Sequence, residues 1–145
     1  MSTRAQTPDG DPWLLTPGPL TTSSVVKRAM LHDLGSRDQA FITLTQRVRT
    51  GLLRIANGSA AHTCIPVQGS GTYAVEAMLG TLLPRDGQLL NLVNGAYGRR
   101  VSRICTLLGR QYKELSVAED QPVDPAQVDR ALAADTRITH VHLVY

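Results

Sequence analysis

The sequence predicts an α/β fold with a mainly parallel sheet and flanking helices. Three observations support this prediction. Strand-like and helix-like segments alternate from His62 to the last residue, and the connections between them are short. The apolar stretch QLLNLV (88–93) has the length and composition of a strand that is covered on both faces. Alternation with short crossovers is typical of parallel α/β sheets.

The predicted elements of this part follow one another regularly. The helices predicted over 74–83 and 98–108 repeat apolar residues at helical spacing. The next helix begins with Asp124 as N-cap and Pro125 at the first helical position. Strands are predicted at HTCIPV (62–67), QLLNLV (88–93), YKELSV (112–117) and THVHLVY (139–145), and helices over 74–83, over 98–108 and from 125 onward.

The first 58 residues have a different organisation. Residues 1–13 are polar and rich in turn formers, and we expect a disordered tail. Residues 14–58 are predicted to hold an extended segment with prolines and glycines, then a short helix over 24–31 and a longer one. The longer helix follows Ser36, whose spacing to Gln39 fits a capping box, and it ends near Asn57 and Gly58.

Composition indicates a globular protein: of 145 residues, 42% are hydrophobic and 19% charged, with a formal net charge of +3. No stretch resembles a signal peptide or a membrane span, so we expect a soluble, cytoplasmic protein without membrane partners. Cys64 and Cys105 match no metal or redox spacing and are expected to be buried thiols. His140 and His142 lack an evident third ligand, so no metal site is predicted, and we expect them to pack or to support residues at the catalytic edge.

The glycine-rich turn in QGSGTYA (68–74) is a candidate phosphate site, because it joins a predicted strand to a predicted helix. It fits the loose dinucleotide pattern G-x-G-x-x-A, but NLVN (91–94) supplies no carboxylate about 20 residues later, which disfavours a nicotinamide cofactor. Ser70, Gly71 and Thr72 bring two hydroxyls and backbone N–H groups to a helix N-terminus, which suits one phosphate monoester. The alternative is an ordinary turn in which Thr72 caps the helix.

A second turn, NGAYG (94–98), follows the next strand and lies at the same predicted edge of the sheet, where ligands of open α/β sheets bind. Tyr97 has small neighbours and is predicted to lie over a flat ring, with simple packing as the alternative. Arg99, Arg100 and Arg103 form a basic cluster on one helix. We expect a solvated face and no nucleic-acid surface, because no aromatic residues are interleaved.

Three motifs, TPGPLT (16–21), QGSGTYAVEAMLGTLL (68–83) and NGAYGRR (94–100), together resemble the class V aminotransferases, which use pyridoxal 5'-phosphate on the type I fold. The resemblance runs from about Leu14 to Tyr145. It implies that the chain is the N-terminal portion of that fold. Residues 59–145 would then form the first part of a larger cofactor-binding α/β domain.

The resemblance also implies roles for two groups of residues. The cofactor phosphate would be held in the glycine-rich turn, the pyridine ring would stack on an aromatic side chain, and the first motif would lie near the substrate. The cofactor-binding residues are then Ser70, Gly71, Thr72 and Tyr97, and the substrate-binding residues Thr16, Pro17, Gly18 and Pro19.

The implied reaction moves the amino group of 2-aminoethylphosphonate to pyruvate, giving phosphonoacetaldehyde and alanine, in a homodimeric enzyme. The family's Schiff-base lysine has no counterpart here, since Lys27 and Lys113 follow no similar motif. We therefore expect the chain to be truncated, to lack a catalytic residue and to be inactive alone. The alternative is a non-catalytic α/β half-domain that binds a phosphate ligand or pairs with a partner chain.

Overall fold

The computed structural model describes residues 6–145, which divide into two compact units at Ile65 and Pro66. This part of the chain contains α1 (Ser24–Ala29), α2 (Gln39–Ile55), α3 (Gly71–Leu82), β1 (Gln88–Val93), α4 (Ala96–Leu107), β2 (Gln111–Ser116), α5 (Pro125–Ala134) and β3 (Ile138–Leu143). The predicted division into residues 14–58 and 59–145 stays a prediction. None of the helices described is long and apolar enough to cross a membrane.

The first unit begins with a turn and a short helix. Residues 1–5 of the predicted tail lie outside the described residues, while Gln6 forms an antiparallel bridge with Pro12. Helix α1 begins after Ser23, whose hydroxyl accepts the Val26 N–H at 3.4 Å. Its start was predicted correctly, but the helix ends two residues early. Lys27, on this helix, forms an ion pair with Asp11.

Helix α2 is present as predicted, but the capping-box prediction at Ser36 was wrong. The N-cap is Asp38, whose carboxylate accepts the Gly35 N–H at 2.8 Å instead of capping the helix. This contact closes a turn before the helix and moves its start to Gln39. The apolar stripe of α2 remains partly exposed, with exposed fractions of 37% at Phe41, 45% at Leu44, 48% at Val48, 46% at Leu52 and 81% at Ile55.

The strand predicted over 62–67 is absent from the structure, because no neighbouring segment within residues 6–145 forms a ladder with it. The Arg49 side chain donates instead to the Cys64 carbonyl at 2.9 Å and to the Thr63 hydroxyl at 3.1 Å. Ile65 is 76% exposed. The composition of this segment favours a strand, but a strand also needs a partner for its backbone groups.

The second unit is built on a parallel sheet with the order β2-β1-β3, which confirms the predicted α/β class and the parallel pairing. All six residues of the central strand β1 are buried, as its apolar sequence predicted. Helices α3 and α4 pack against β1 through one apolar cluster, which includes Cys105, a predicted buried thiol. The cluster comprises Leu79, Leu83, Leu89, Val101, Ile104 and Cys105. The same prediction was wrong for Cys64, which is only half-buried.

The predicted boundaries in this unit need small corrections. Helix α3 begins at Gly71 and α4 at Ala96, three and two residues before their predicted starts. Both helices therefore begin inside the glycine-containing turns, and residues expected in loops lie in first helical turns. Asp124 and Pro125 start α5 as predicted, with the Asp124 carboxylate accepting the Ala126 N–H at 2.9 Å.

A buried carboxylate joins β2 to the turn before β3. Asp135 accepts hydrogen bonds from Arg137 Nε and Nη2, both at 3.0 Å, and forms an ion pair with Lys113. Its side chain is 7% exposed. The hydrogen bonds from Arg137 and then from Lys113 hold the pKa of Asp135 well below its usual range.

We predict that Asp135→Asn lowers the free energy of unfolding at neutral pH. The pKa of Asp135 is lower in the folded chain than the unfolded value of about 3.9, so its ionised form stabilises the fold above about pH 4. This contribution is lost as pH falls below that value. The difference in free energy of unfolding between parent and variant should therefore shrink steadily as pH falls below about 5, and urea unfolding measures it. Asp129→Asn, at an exposed site on α5, is the control; a pH-independent difference at Asp135 would contradict the prediction.

Candidate functional site

Two helix N-termini meet at the edge where β1 ends. Helix α3 follows Ser70, and α4 follows Gly95, two residues after β1 ends at Val93. The residues before and within these first turns border a cavity of about 470 Å³. The carboxyl edge of a parallel sheet is the usual place for a ligand site, and both turns were predicted to lie there.

The first turn leaves open space in front of helix α3. Gly69 has φ +121°, and a Cβ there would lie 2.7 Å from the Tyr73 ring, so glycine is required. At Gly71 a Cβ would meet no heavy atom within 4 Å, because this side of the turn faces the cavity. The Ser70 hydroxyl makes no capping bond. The first N–H groups of a helix lack intrahelical partners, so this turn offers free donors to an anion.

Arg100 adds a positive charge to the same place. Its Nη1 donates to the Thr72 hydroxyl at 3.1 Å, and its guanidinium lies 4.8 Å from the centre of the Tyr97 ring. Arg99, Arg100 and Arg103 are all exposed, as the prediction of a solvated face requires, but Arg100 also borders the cavity, which was not predicted. The signal was available, since Tyr97 and Arg100 share one helix face once α4 begins at Ala96.

Tyr97 lies in the first turn of α4, not in the loop before it. Its side chain borders the cavity and is 61% exposed. The Arg100 guanidinium orders the ring by a cation–π contact, which contributes about 0.5–1 kcal/mol at exposed sites. The ring therefore has a defined position at the cavity wall.

A buried polar network lies beneath the cavity. Asn91 is fully buried in β1, and its side-chain amide donates to the Gly98 carbonyl and to the Ser102 hydroxyl, both at 2.8 Å. Its Oδ1 lies 3.0 Å from Nδ1 of His142 on β3. Burial lowers the pKa of His142. Asn91 thus connects α4 to a histidine on the cavity wall.

The cavity combines a polar end with an apolar wall. Hydroxyls, a guanidinium and helix N–H groups lie at one end, and Val75, Val101, Ile104 and Val144 line the wall. This arrangement suits an anionic group attached to a flat, largely apolar ring. Within residues 6–145, no group of three potential ligands could hold a metal ion, and no lysine lines the cavity.

The structure brings together four of the eight predicted site residues: Ser70, Gly71, Thr72 and Tyr97. The other four, 16–19, belong to the first unit, where the Thr16 hydroxyl donates to the Pro19 carbonyl at 2.7 Å and closes an exposed turn. Their role at a substrate stays a prediction.

Several solved structures that this chain resembles are aminotransferases. The chain superposes on pyridoxamine–pyruvate aminotransferase from Mesorhizobium loti with a TM-score of 0.78 and 25% identity, covering 89% of this chain and 33% of that one. Alanine–glyoxylate aminotransferase from Nostoc sp. gives a TM-score of 0.73 and 25% identity, covering 81% and 31%. The fold is therefore the N-terminal portion of the fold of these aminotransferases, as the sequence predicted.

Curated relatives narrow this class. The chain is 58% identical over 134 residues to a 2-aminoethylphosphonate–pyruvate transaminase of Pseudomonas putida (strain GB-1), covering 92% of this chain and 36% of the relative. A protein of the same name from Burkholderia thailandensis is 56% identical over 138 residues, covering 95% and 37%. No protein-family profile matches the chain. The chain is similar to these transaminases over the part that it matches and spans little more than a third of their length.

We predict that Asn91→Leu lowers the free energy of unfolding by about 2–3 kcal/mol, because it leaves buried partner groups unsatisfied. Ser102→Ala, which removes one partner only, should cost about 1 kcal/mol. Urea unfolding at pH 7 measures both. Equal losses, or no loss at Asn91, would show that the network does not stabilise the packing of α4 on β1.

Proposed function

We propose that this chain is the cofactor-binding part of a pyridoxal-phosphate aminotransferase that moves the amino group of 2-aminoethylphosphonate to pyruvate. The observation that carries the proposal is the convergence of Ser70, Thr72, Arg100 and Tyr97 on one cavity. The names of the curated relatives support the choice of substrates. A homodimer in the cytoplasm is proposed from the family resemblance alone.

The polar end of the cavity fits the cofactor phosphate. The free N–H groups at the start of α3, the hydroxyls of Ser70 and Thr72 and the Arg100 guanidinium are all suitable donors. A hydrogen bond to a charged group contributes about 1.5–3 kcal/mol, and the helix dipole adds about 0.3–1 kcal/mol. The open space at Gly71 allows the phosphate to approach the backbone.

The ring end of the cavity fits a pyridine. Tyr97 offers an aromatic face whose orientation is set by Arg100, and the valines and Ile104 exclude water from the opposite wall. When bound, pyridoxal phosphate supplies an electron sink for the reacting carbon. The residues of this chain bind and orient that group.

No residue of this chain is proposed to transfer the reacting proton. Lys27 and Lys113 are engaged in ion pairs with Asp11 and Asp135, and neither lines the cavity. Residues 16–19 are proposed to contact the substrate, as the resemblance implies. Arg99 pairs with Glu119 at 3.1 Å and Arg100 faces Thr72, which supports a small-molecule site over a nucleic-acid surface.

We predict that Arg100→Met weakens pyridoxal phosphate binding by at least about tenfold, because it removes a charged hydrogen-bond donor. Arg103→Met, on an exposed position of the same helix, is the matched control and should leave the affinity unchanged. Equilibrium dialysis against pyridoxal phosphate and against inorganic phosphate measures the effect. Equal affinities of parent and Arg100→Met would show that the guanidinium does not contribute to phosphate binding.

We predict that Tyr97→Leu disturbs the absorbance of bound pyridoxal phosphate and weakens its binding, while inorganic phosphate binds as before. The variant removes the aromatic face but keeps the donors at the start of α3. Absorbance titrations with both probes separate the two effects. Unchanged cofactor spectra and affinity would mean that Tyr97 only packs at the surface.

We predict that the 145-residue chain alone forms no alanine from 2-aminoethylphosphonate and pyruvate. A hybrid, in which this chain replaces the matching segment of the Pseudomonas putida relative, should form it. Borohydride reduction with pyridoxal phosphate, followed by peptide mapping, checks the same point chemically. A stoichiometric adduct at Lys27 or Lys113 together with turnover would overturn the assignment of this chain as a binding part. An inactive but folded hybrid would argue against the proposed substrates.

A further inference from the structure

The hydrogen-bond partners of Asn91 determine the orientation of its side-chain amide. The Gly98 carbonyl lies 2.8 Å from the amide nitrogen and can only accept a hydrogen bond. The nitrogen therefore faces Gly98 and Ser102, and Oδ1 faces His142. A flipped amide would place two acceptor oxygens against each other inside the protein, where such a contact is costly.

This orientation determines which ring nitrogen of His142 carries the proton. Asn91 Oδ1 is an acceptor without a hydrogen, so Nδ1 of His142, 3.0 Å away, must donate. Burial lowers the pKa of His142, which keeps the ring neutral at pH 7. A neutral imidazole with hydrogen on Nδ1 has a bare lone pair on Nε2.

His142 lies at the wall of the same cavity as Ser70, Thr72 and Tyr97. Because Nδ1 is hydrogen-bonded to Asn91, Nε2 is the ring nitrogen that remains for a ligand in this cavity. Val101 and Ile104 on α4 and Val144, just after β3, line the same cavity and offer no polar group. An acceptor therefore lies in an otherwise apolar wall.

The geometry points to a second polar contact in this cavity: Asn91 holds His142 as the Nδ1–H tautomer, and His142 Nε2 accepts a hydrogen bond from an N–H or hydroxyl group on the ring of the bound ligand. The inference rests on the proposed function, since it takes the ligand to be a phosphorylated aromatic ring. His142 is a binding residue in this role, and Asn91 is its positioning residue.

The first test reads the tautomer directly. Nitrogen NMR of ¹⁵N-histidine-labelled protein, on the 145-residue chain and on the hybrid, should show a protonated Nδ1 and a bare Nε2 for His142 at pH 7. Asn91→Asp, which changes the partner of Nδ1, should alter the His142 pattern and leave that of His140 unchanged. A protonated Nε2, or averaging between the two tautomers, in the unsubstituted protein would overturn the inference.

The second test uses a variant that keeps one function of the ring and removes the other. His142→Asn retains an N–H donor toward Asn91 but has no acceptor in place of Nε2. Pyridoxal phosphate binding, measured by absorbance titration, should weaken about fivefold, and inorganic phosphate binding should not change. His140→Asn, on the same strand and away from this cavity, is the control and should bind both probes like the parent.

The outcomes separate this inference from the proposed function. If pyridoxal phosphate binds the parent and His142→Asn equally well, the proposed function stands and the contact at Nε2 is wrong. If the parent binds neither pyridoxal phosphate nor inorganic phosphate, the proposed function fails and the ligand contact fails with it. The tautomer is measured on the unsubstituted protein, so it is decided even where the variant does not fold.

Discussion

The close approach of helix α4 to strand β1 is the constraint on which the site depends. A Cβ at Gly98 would lie 3.0 Å from the Val93 Cα, so a side chain there would push the helix off the strand. This approach brings the Gly98 carbonyl and Ser102 within reach of Asn91. The same approach determines where Tyr97 and Arg100, which lie one turn apart on α4, face the start of α3.

The N-termini of α3 and α4 and the buried side-chain amide of Asn91 together shape a cavity with a polar end and an apolar wall. The two helix N-termini supply free N–H donors, and α4 adds the Arg100 charge. The Asn91 amide orients His142 at the wall between α4 and β3. These groups come from four elements of the second unit: α3, α4, β1 and β3. The arrangement therefore depends on the packing of the whole unit, and single motifs of the sequence describe it only in part.

Much of this was predictable, for definite physical reasons. The short apolar sequence of β1 was enough to predict a strand covered on both faces, and the glycines at 69 and 71 were enough to predict a turn before α3. The position of Arg100 at the cavity was missed because it depends on where α4 begins, and helix boundaries are what sequence patterns predict least reliably. The strand over 62–67 was predicted from composition, whereas pairing depends on a neighbour that composition does not reveal.

The unequal burial of the three strands has a consequence for the motions of the second unit. β1 lies in the middle of the sheet with every residue buried, while β2 and β3 alternate between exposed and half-buried positions. Local opening of the outer strands exposes little apolar surface, whereas opening β1 removes the support of both helices. Backbone amides of β1 should therefore exchange with solvent deuterium most slowly, and the cavity floor should remain formed while the outer strands fluctuate.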